Sequence, residues 1–164
     1  MKTSKILTIA ITLMGALIFV NASAQTNISG TWKRNDNKTD AGGLSINSVA
    51  TSLEIIQDKS TVIVKGTNKN SAGEVSTYTD ILKLDGNSTE RKAGADRTKS
   101  ITAKWSADGK SLTESATYKD EQGNVTQTIK QTFALSDDGK TLRITDERNF
   151  DGQAVALNEI FDKQ

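Results

Sequence analysis

Asp108-Gly109-Lys110-Ser111-Leu112-Thr113-Glu114-Ser115-Ala116-Thr117-Tyr118 decides the fold, because tight-turn chemistry runs straight into strict alternation. Counting by twos puts Leu112, Glu114, Ala116 and Tyr118 on one face, and Ser and Thr fill the other. Thirty residues on, Asp138-Gly139-Lys140-Thr141-Leu142 repeats the turn almost word for word. It feeds a second alternating run in which Leu142, Ile144, Asp146, Arg148 and Phe150 share a face. Between the two, Val125, Gln127, Ile129, Gln131, Phe133 and Leu135 alternate in the same way.

Outward from this segment the period stays two rather than 3.6, back to residue 28 and forward to the end. The reading predicts strands over 28–34, 52–57, 61–67, 74–84, 88–92, 98–105, 111–118, 125–135, 141–150 and 154–161, with at most one helical turn in 43–51. Asp58-Lys59, Asp85-Gly86, Asp108-Gly109 and Asp138-Gly139 are tight turns, and in a meander every second turn falls at the same end. The connections at the other end, 35–51, 68–73, 93–97, 119–124 and 151–153, read as looser. The expected fold is all-β: an antiparallel up-and-down meander of 8–10 strands closed into a barrel with one mouth, or alternatively a two-sheet sandwich. Closure accounts for so many strands without a proline to blunt an edge.

The first strand carries Gly30-Thr31-Trp32. This Gly-x-Trp on the opening strand of a meander resembles the lipocalin and calycin superfamily, and Ser29-Gly30-Thr31-Trp32-Lys33 resembles a set of secreted bacterial proteins with a lipocalin-like barrel. The resemblance implies that Gly30 and Trp32 form the closed base and that the long connection 35–51 sits at the mouth. It also implies an Arg from the end of the barrel packed over the Trp. The stretch 154–161 contains no Arg, and Leu142 and Ile144 claim the inner face beside Arg143.

The first 24 residues read as a secretory signal peptide. Lys2 and Lys5 precede an apolar run from Ile6 to Val20, and Ala22-Ser23-Ala24 supplies a small-x-small cleavage site before Gln25. The run is shorter than a spanning helix needs, roughly 20 apolar residues, so no membrane insertion after cleavage is expected. Cysteine is absent, which excludes a lipid anchor at the cleavage site and any disulfide framework. A periplasmic or secreted bacterial protein fits, with residues 25–164 as one domain of roughly 140 residues. Cleavage removes two lysines and no acid, leaving 19 basic against 20 acidic residues. A net charge of −1 gives no long-range attraction for nucleic acid or anionic membrane.

With neither His nor Cys, the usual nucleophile–base pairs and transition-metal sites cannot be built. Asp36-Asn37-Lys38-Thr39-Asp40 has the outline of a calcium loop, but Lys38 stands where a second oxygen ligand belongs and no Gly follows Asp40. No metal or cofactor is expected. The basic residues Arg91, Lys92, Arg97 and Lys99 lack aromatic interleaving and read as a solvated loop. Trp105 alternates with Ile101 and Ala103 as core.

The alternation gathers apolar residues toward the tight-turn end and leaves Tyr78, Asp80, Tyr118, Gln127, Asp146 and Arg148 nearer the mouth. Of these, Tyr78, Tyr118, Gln127, Asp146 and Arg148 are the candidate ligand-binding residues. An inward Arg beside carboxylates and tyrosines suits a polar or amphipathic small molecule, with Arg148 matched to a carboxylate or phosphate. The alternative is an interaction module with a filled barrel whose open-end loops contact another protein. A third reading is an enzyme using Glu114 with Asp146 or Glu159 as an acid/base pair.

Overall fold

Alternation with no sustained helical stripe leaves the chain only sheets to form, and the meander closes on itself. In the computed structural model, which describes residues 24–150 and 152–164, ten strands make a single antiparallel sheet. They are β1 (Gly30–Arg34), β2 (Ser52–Gln57), β3 (Thr61–Lys69), β4 (Val75–Lys83), β5 (Thr89–Lys92), β6 (Thr98–Trp105), β7 (Ser111–Lys119), β8 (Val125–Leu135), β9 (Thr141–Phe150) and β10 (Gln153–Lys163). The sheet order β4-β3-β2-β1-β10-β9-β8-β7-β6-β5 joins first strand to last, so the barrel is continuous except between β4 and β5. The sandwich alternative is thereby set aside. A single 3-10 turn, Ile46–Ser48, lies in the stretch expected to carry one helical turn. The proposed signal peptide lies outside the described residues.

The repeated turn sequences build the same hydrogen bonds. Ser106 Oγ donates to Asp108 Oδ1, which also accepts Lys110 N–H, and Ser111 N–H returns to Ser106 Oγ. Ser136, Asp138, Lys140 and Thr141 reproduce each of these contacts. The opposite end differs from expectation. The β3–β4 and β7–β8 connections are also compact: Glu74 N–H bonds the side chain of Asn70, and Asn124 N–H bonds that of Asp120. Only residues 35–51 make a long connection, and it is strapped down. Arg34 Nη1 donates to the carbonyls of Ile46 and Val49, while Asp40 pairs with Asn158 of β10.

The core fills the tight-turn half. Trp32, Leu53, Val62, Leu82, Leu112, Phe133, Leu142 and Phe161 are buried there, with Trp105 at its margin. The chain before β1 crosses this end as a floor. Ile28 is fully buried, its carbonyl accepts Trp32 Nε1–H at 3.1 Å, and Thr26 N–H bonds the Gly109 carbonyl.

The base tryptophan does have a cationic lid, but it is a lysine. Strand β10 runs to Lys163, two residues past the predicted end, and the Lys163 ammonium sits 5.3 Å from the Trp32 ring centroid. Gly30 makes that approach possible. Its φ of +148° is one that side chains rarely adopt, and an added Cβ would stand 3.2 Å from Lys163 Cε.

Candidate functional site

Above the apolar core the inward positions turn polar, and their charges form a layer across the barrel. Asp80 on β4, Lys99 on β6, Glu114 on β7, Asp146 on β9 and Glu159 on β10 are all buried. Such a layer is tolerated only if it is paired. Lys99 Nζ bonds Asp80 Oδ2 at 2.6 Å and Glu114 Oε1 at 2.9 Å, and Arg91 bonds Asp80 through Nε. On the other side, Arg148 donates to Asp146 from both Nε and Nη2, reaches Glu159 at 3.4 Å, and donates Nη1–H to the Ser48 carbonyl.

The first of these clusters also seals the seam. No backbone ladder joins β4 to β5; among the described residues the gap is bridged by Arg91 and Lys99 to Asp80, by the Arg91 guanidinium over the Tyr78 ring and by Thr89 Oγ1 to the Ile81 carbonyl. Arg91 and Lys99 are therefore drawn into the barrel, which corrects the solvated-loop reading for these two, while Lys92 stays exposed. Lys99 is 4 % exposed, because it shares a face with Ile101, Ala103 and Trp105. Counting back by twos from Trp105 would have placed it inside.

Over the ionic layer opens a cavity of about 600 Å³. Four of the five candidate residues line it: Tyr78, Tyr118, Gln127 and Arg148. Asp146 does not; it is fully buried beneath, accepting hydrogen bonds from Gln131 and Arg148. Arg91, Arg97, Lys99, Gln131 and Glu159 also face the cavity, as do Ser48 and Ala50 from the long connection. Tyr78 has its place because Gly66, opposite it on β3, lacks a side chain: a Cβ there would lie 2.1 Å from the ring. A concavity of similar size on the outer wall, bounded by Thr117, Lys130 and Glu147, is a saddle between outward side chains. Its one ion pair, Lys130–Glu147, is solvent-exposed, and no aromatic ring faces it.

Arg148 is not the open anion site that its residue type suggested, since Asp146, Glu159 and the Ser48 carbonyl take four of its five N–H donors. Among the described residues no group of three or more acidic side chains could hold a metal ion. In the stretch with a calcium-loop outline, Asp36 pairs with Arg34 and Asp40 accepts Gly42 N–H.

Burial and the neighbouring Asp146 charge push Glu159 from 4.5 up to about 8. Asp146 Oδ1 is buried without a hydrogen-bond partner among the described residues, and a hydrogen bond between the Glu159 and Asp146 side chains adds to the rise. Burial raises Glu114 as well. A carboxyl raised in the folded state stabilises fully below its unfolded value, and that contribution is lost as pH rises through the folded value. The chain has no histidine to titrate in the same window. Urea midpoints should therefore fall between pH 5 and pH 8, and Glu159→Gln should flatten much of the slope. A wild-type midpoint that is level or rising across this interval would contradict the assignment.

Neither a known protein family nor a curated protein matches the sequence. Among solved structures, zebrafish ileal bile acid-binding protein complexed with cholic acid superposes with a TM-score of 0.51 at 17 % identity. The match covers 83 % of this chain and 98 % of that one. The likeness is one of fold, an antiparallel up-and-down β-barrel.

Proposed function

We propose that this chain is an exported protein that binds a polar or amphipathic small molecule non-covalently in the mouth of its barrel. One observation carries the reading: a cavity of about 600 Å³ in which Tyr78, Tyr118, Gln127 and Arg148 converge. That volume falls within the roughly 300–1,000 Å³ of small-molecule sites. A bare lipid tail fits poorly, because the cavity floor is charged and an alkyl chain gains nothing by desolvating it. The structural neighbour, a binding protein complexed with cholic acid, lends the reading support by analogy. The basic, apolar and small-x-small order of residues 1–24 supports export to the periplasm or medium.

The interaction-module reading calls for an apolar patch on the open-end loops. Among the described residues, the large exposed apolar side chains at that end are Val75 and Val125, on strands that are not neighbours in the sheet. Native mass spectrometry of the protein purified after expression of the full chain with export tests the binding reading. A reproducible small-molecule adduct is expected. It should disappear in Gln127→Trp, which fills the cavity without removing an ion pair. A clean mass across a metabolite panel, unchanged by Gln127→Trp, would overturn the proposal.

A further inference from the structure

The cations around the cavity are unequally satisfied. Lys99 and Arg148 are each held by two acidic side chains, and Arg91 by Asp80 and the Lys92 carbonyl. Arg97 is different. It lines the cavity from the β5–β6 turn, and among the described residues its side chain has neither an ion pair nor a hydrogen bond. Its guanidinium centre lies 5.7 Å from the Tyr118 ring centroid, and the Lys99 ammonium lies at the same distance from that ring. Two like charges thus share one aromatic platform, and only Lys99 has protein counter-charges.

The charge count around the cavity leads to the same residue. Arg91, Arg97, Lys99 and Arg148 face Asp80, Glu114, Asp146 and Glu159 in and beneath it. Burial beside Asp146 favours the protonated form of Glu159. The cations then outnumber the carboxylates around the cavity, and the cation without a partner is Arg97. A guanidinium on an aromatic face, partly withdrawn from water, gains most from a ligand oxyanion able to take two of its donors. Cation–π contact alone does not satisfy its N–H groups.

We propose that the ligand carries a single negative charge, as a carboxylate or sulfonate, and that Arg97 at the rim is its anchor while the neutral body lies inward against Tyr78, Tyr118 and Gln127. The inference rests on the small-molecule reading above and moves the anion site from Arg148 on the barrel wall to Arg97 at the mouth. The ligand is bound acid-outward. The interior ion pairs serve as a hydrogen-bonding floor and are not broken on binding.

Two fluorescent dyes of nearly equal shape test it on the full-length exported protein. Anilinonaphthalene sulfonate is a monoanion, and N-phenylnaphthylamine is uncharged. Below the unfolding transition the sulfonate dye should bind the wild type more tightly. Arg97→Gln should lower its affinity about tenfold, the loss expected for one charge-assisted contact. The uncharged dye should change by less than about twofold, and Arg97→Lys should restore part of the difference. Arg148→Gln serves as the opposed case, because an anion site at Arg148 predicts the larger loss there. If Gln127→Trp abolishes binding of both dyes but Arg97→Gln leaves the sulfonate dye unaffected, the cavity reading stands and the Arg97 anchor falls. If neither dye binds the folded wild type, both readings fall together.

Discussion

Lys99→Met should destabilise the protein by about 3–5 kcal/mol at pH 7, the usual cost of breaking a buried ion pair from one side. The side chain is 5 % exposed and holds two carboxylates that are equally hidden. With the ammonium gone, Asp80 retains Arg91, but Glu114 has no other charged partner and is 1 % exposed. For a domain of this size the loss corresponds to roughly 10 °C in melting temperature. Two controls separate a charge effect from packing. Glu114→Gln in the Lys99→Met background should recover a substantial part of the loss, since a neutral amide no longer demands a counter-charge. The deficit should also shrink as the pH is lowered, because burial already favours the protonated form of Glu114. The seam makes a further mark. β4 and β5 are tied by side chains rather than a ladder, so their amides should exchange faster in the variant while β7–β9 are less affected. A loss below about 1 kcal/mol would mean that the pair is replaceable by apolar packing, as some buried ion pairs are.

The same residues show what the sequence disclosed and what it hid. Strands β2, β6, β8 and β9 have their predicted bounds, because turn chemistry fixes the register on both sides of strictly alternating runs. The inward faces of β7 and β9 followed directly, and with them Tyr118 and Arg148 as cavity wall; Asp146 is inward as read, but lies beneath the cavity rather than in it. Lys99 was hidden because Arg91, Lys92, Arg97 and Lys99 look like a solvated charge cluster by composition. Only the period of β6, carried back from Trp105, assigns Lys99 to the interior. Arg91 was beyond sequence reasoning for another reason. Strand β5 has four residues and no apolar anchor, so nothing local sets its register. The pairing of Arg148 with Asp146 two residues away was within reach, yet the Ser48 carbonyl that accepts from its Nη1 comes from 100 residues earlier in the chain.

At the closed end, Trp32→Ala should cost about 3–5 kcal/mol, and the reasons can be told apart by experiment. Trp32 has no exposed surface, and the floor segment depends on it through the bond from Nε1 to the Ile28 carbonyl. Removing the indole opens a large apolar void and leaves a buried carbonyl unpaired at once. Trp32→Phe keeps most of the volume and loses only the donor and part of the cation–π contact, so about 1–2 kcal/mol is expected. Lys163→Met in the wild-type background should cost under about 1 kcal/mol, since the alkyl stem over Gly30 is conserved and only the charge is lost. Functionally the base should be silent. The cavity lies above the ionic layer and takes no lining residue from β1, so Trp32→Phe should leave dye affinity at the mouth within about twofold. A Trp32→Phe variant that stays folded but loses the dye would mean that the layer transmits strain from base to mouth. The two halves of the barrel would then be a single cooperative site rather than a scaffold and a pocket.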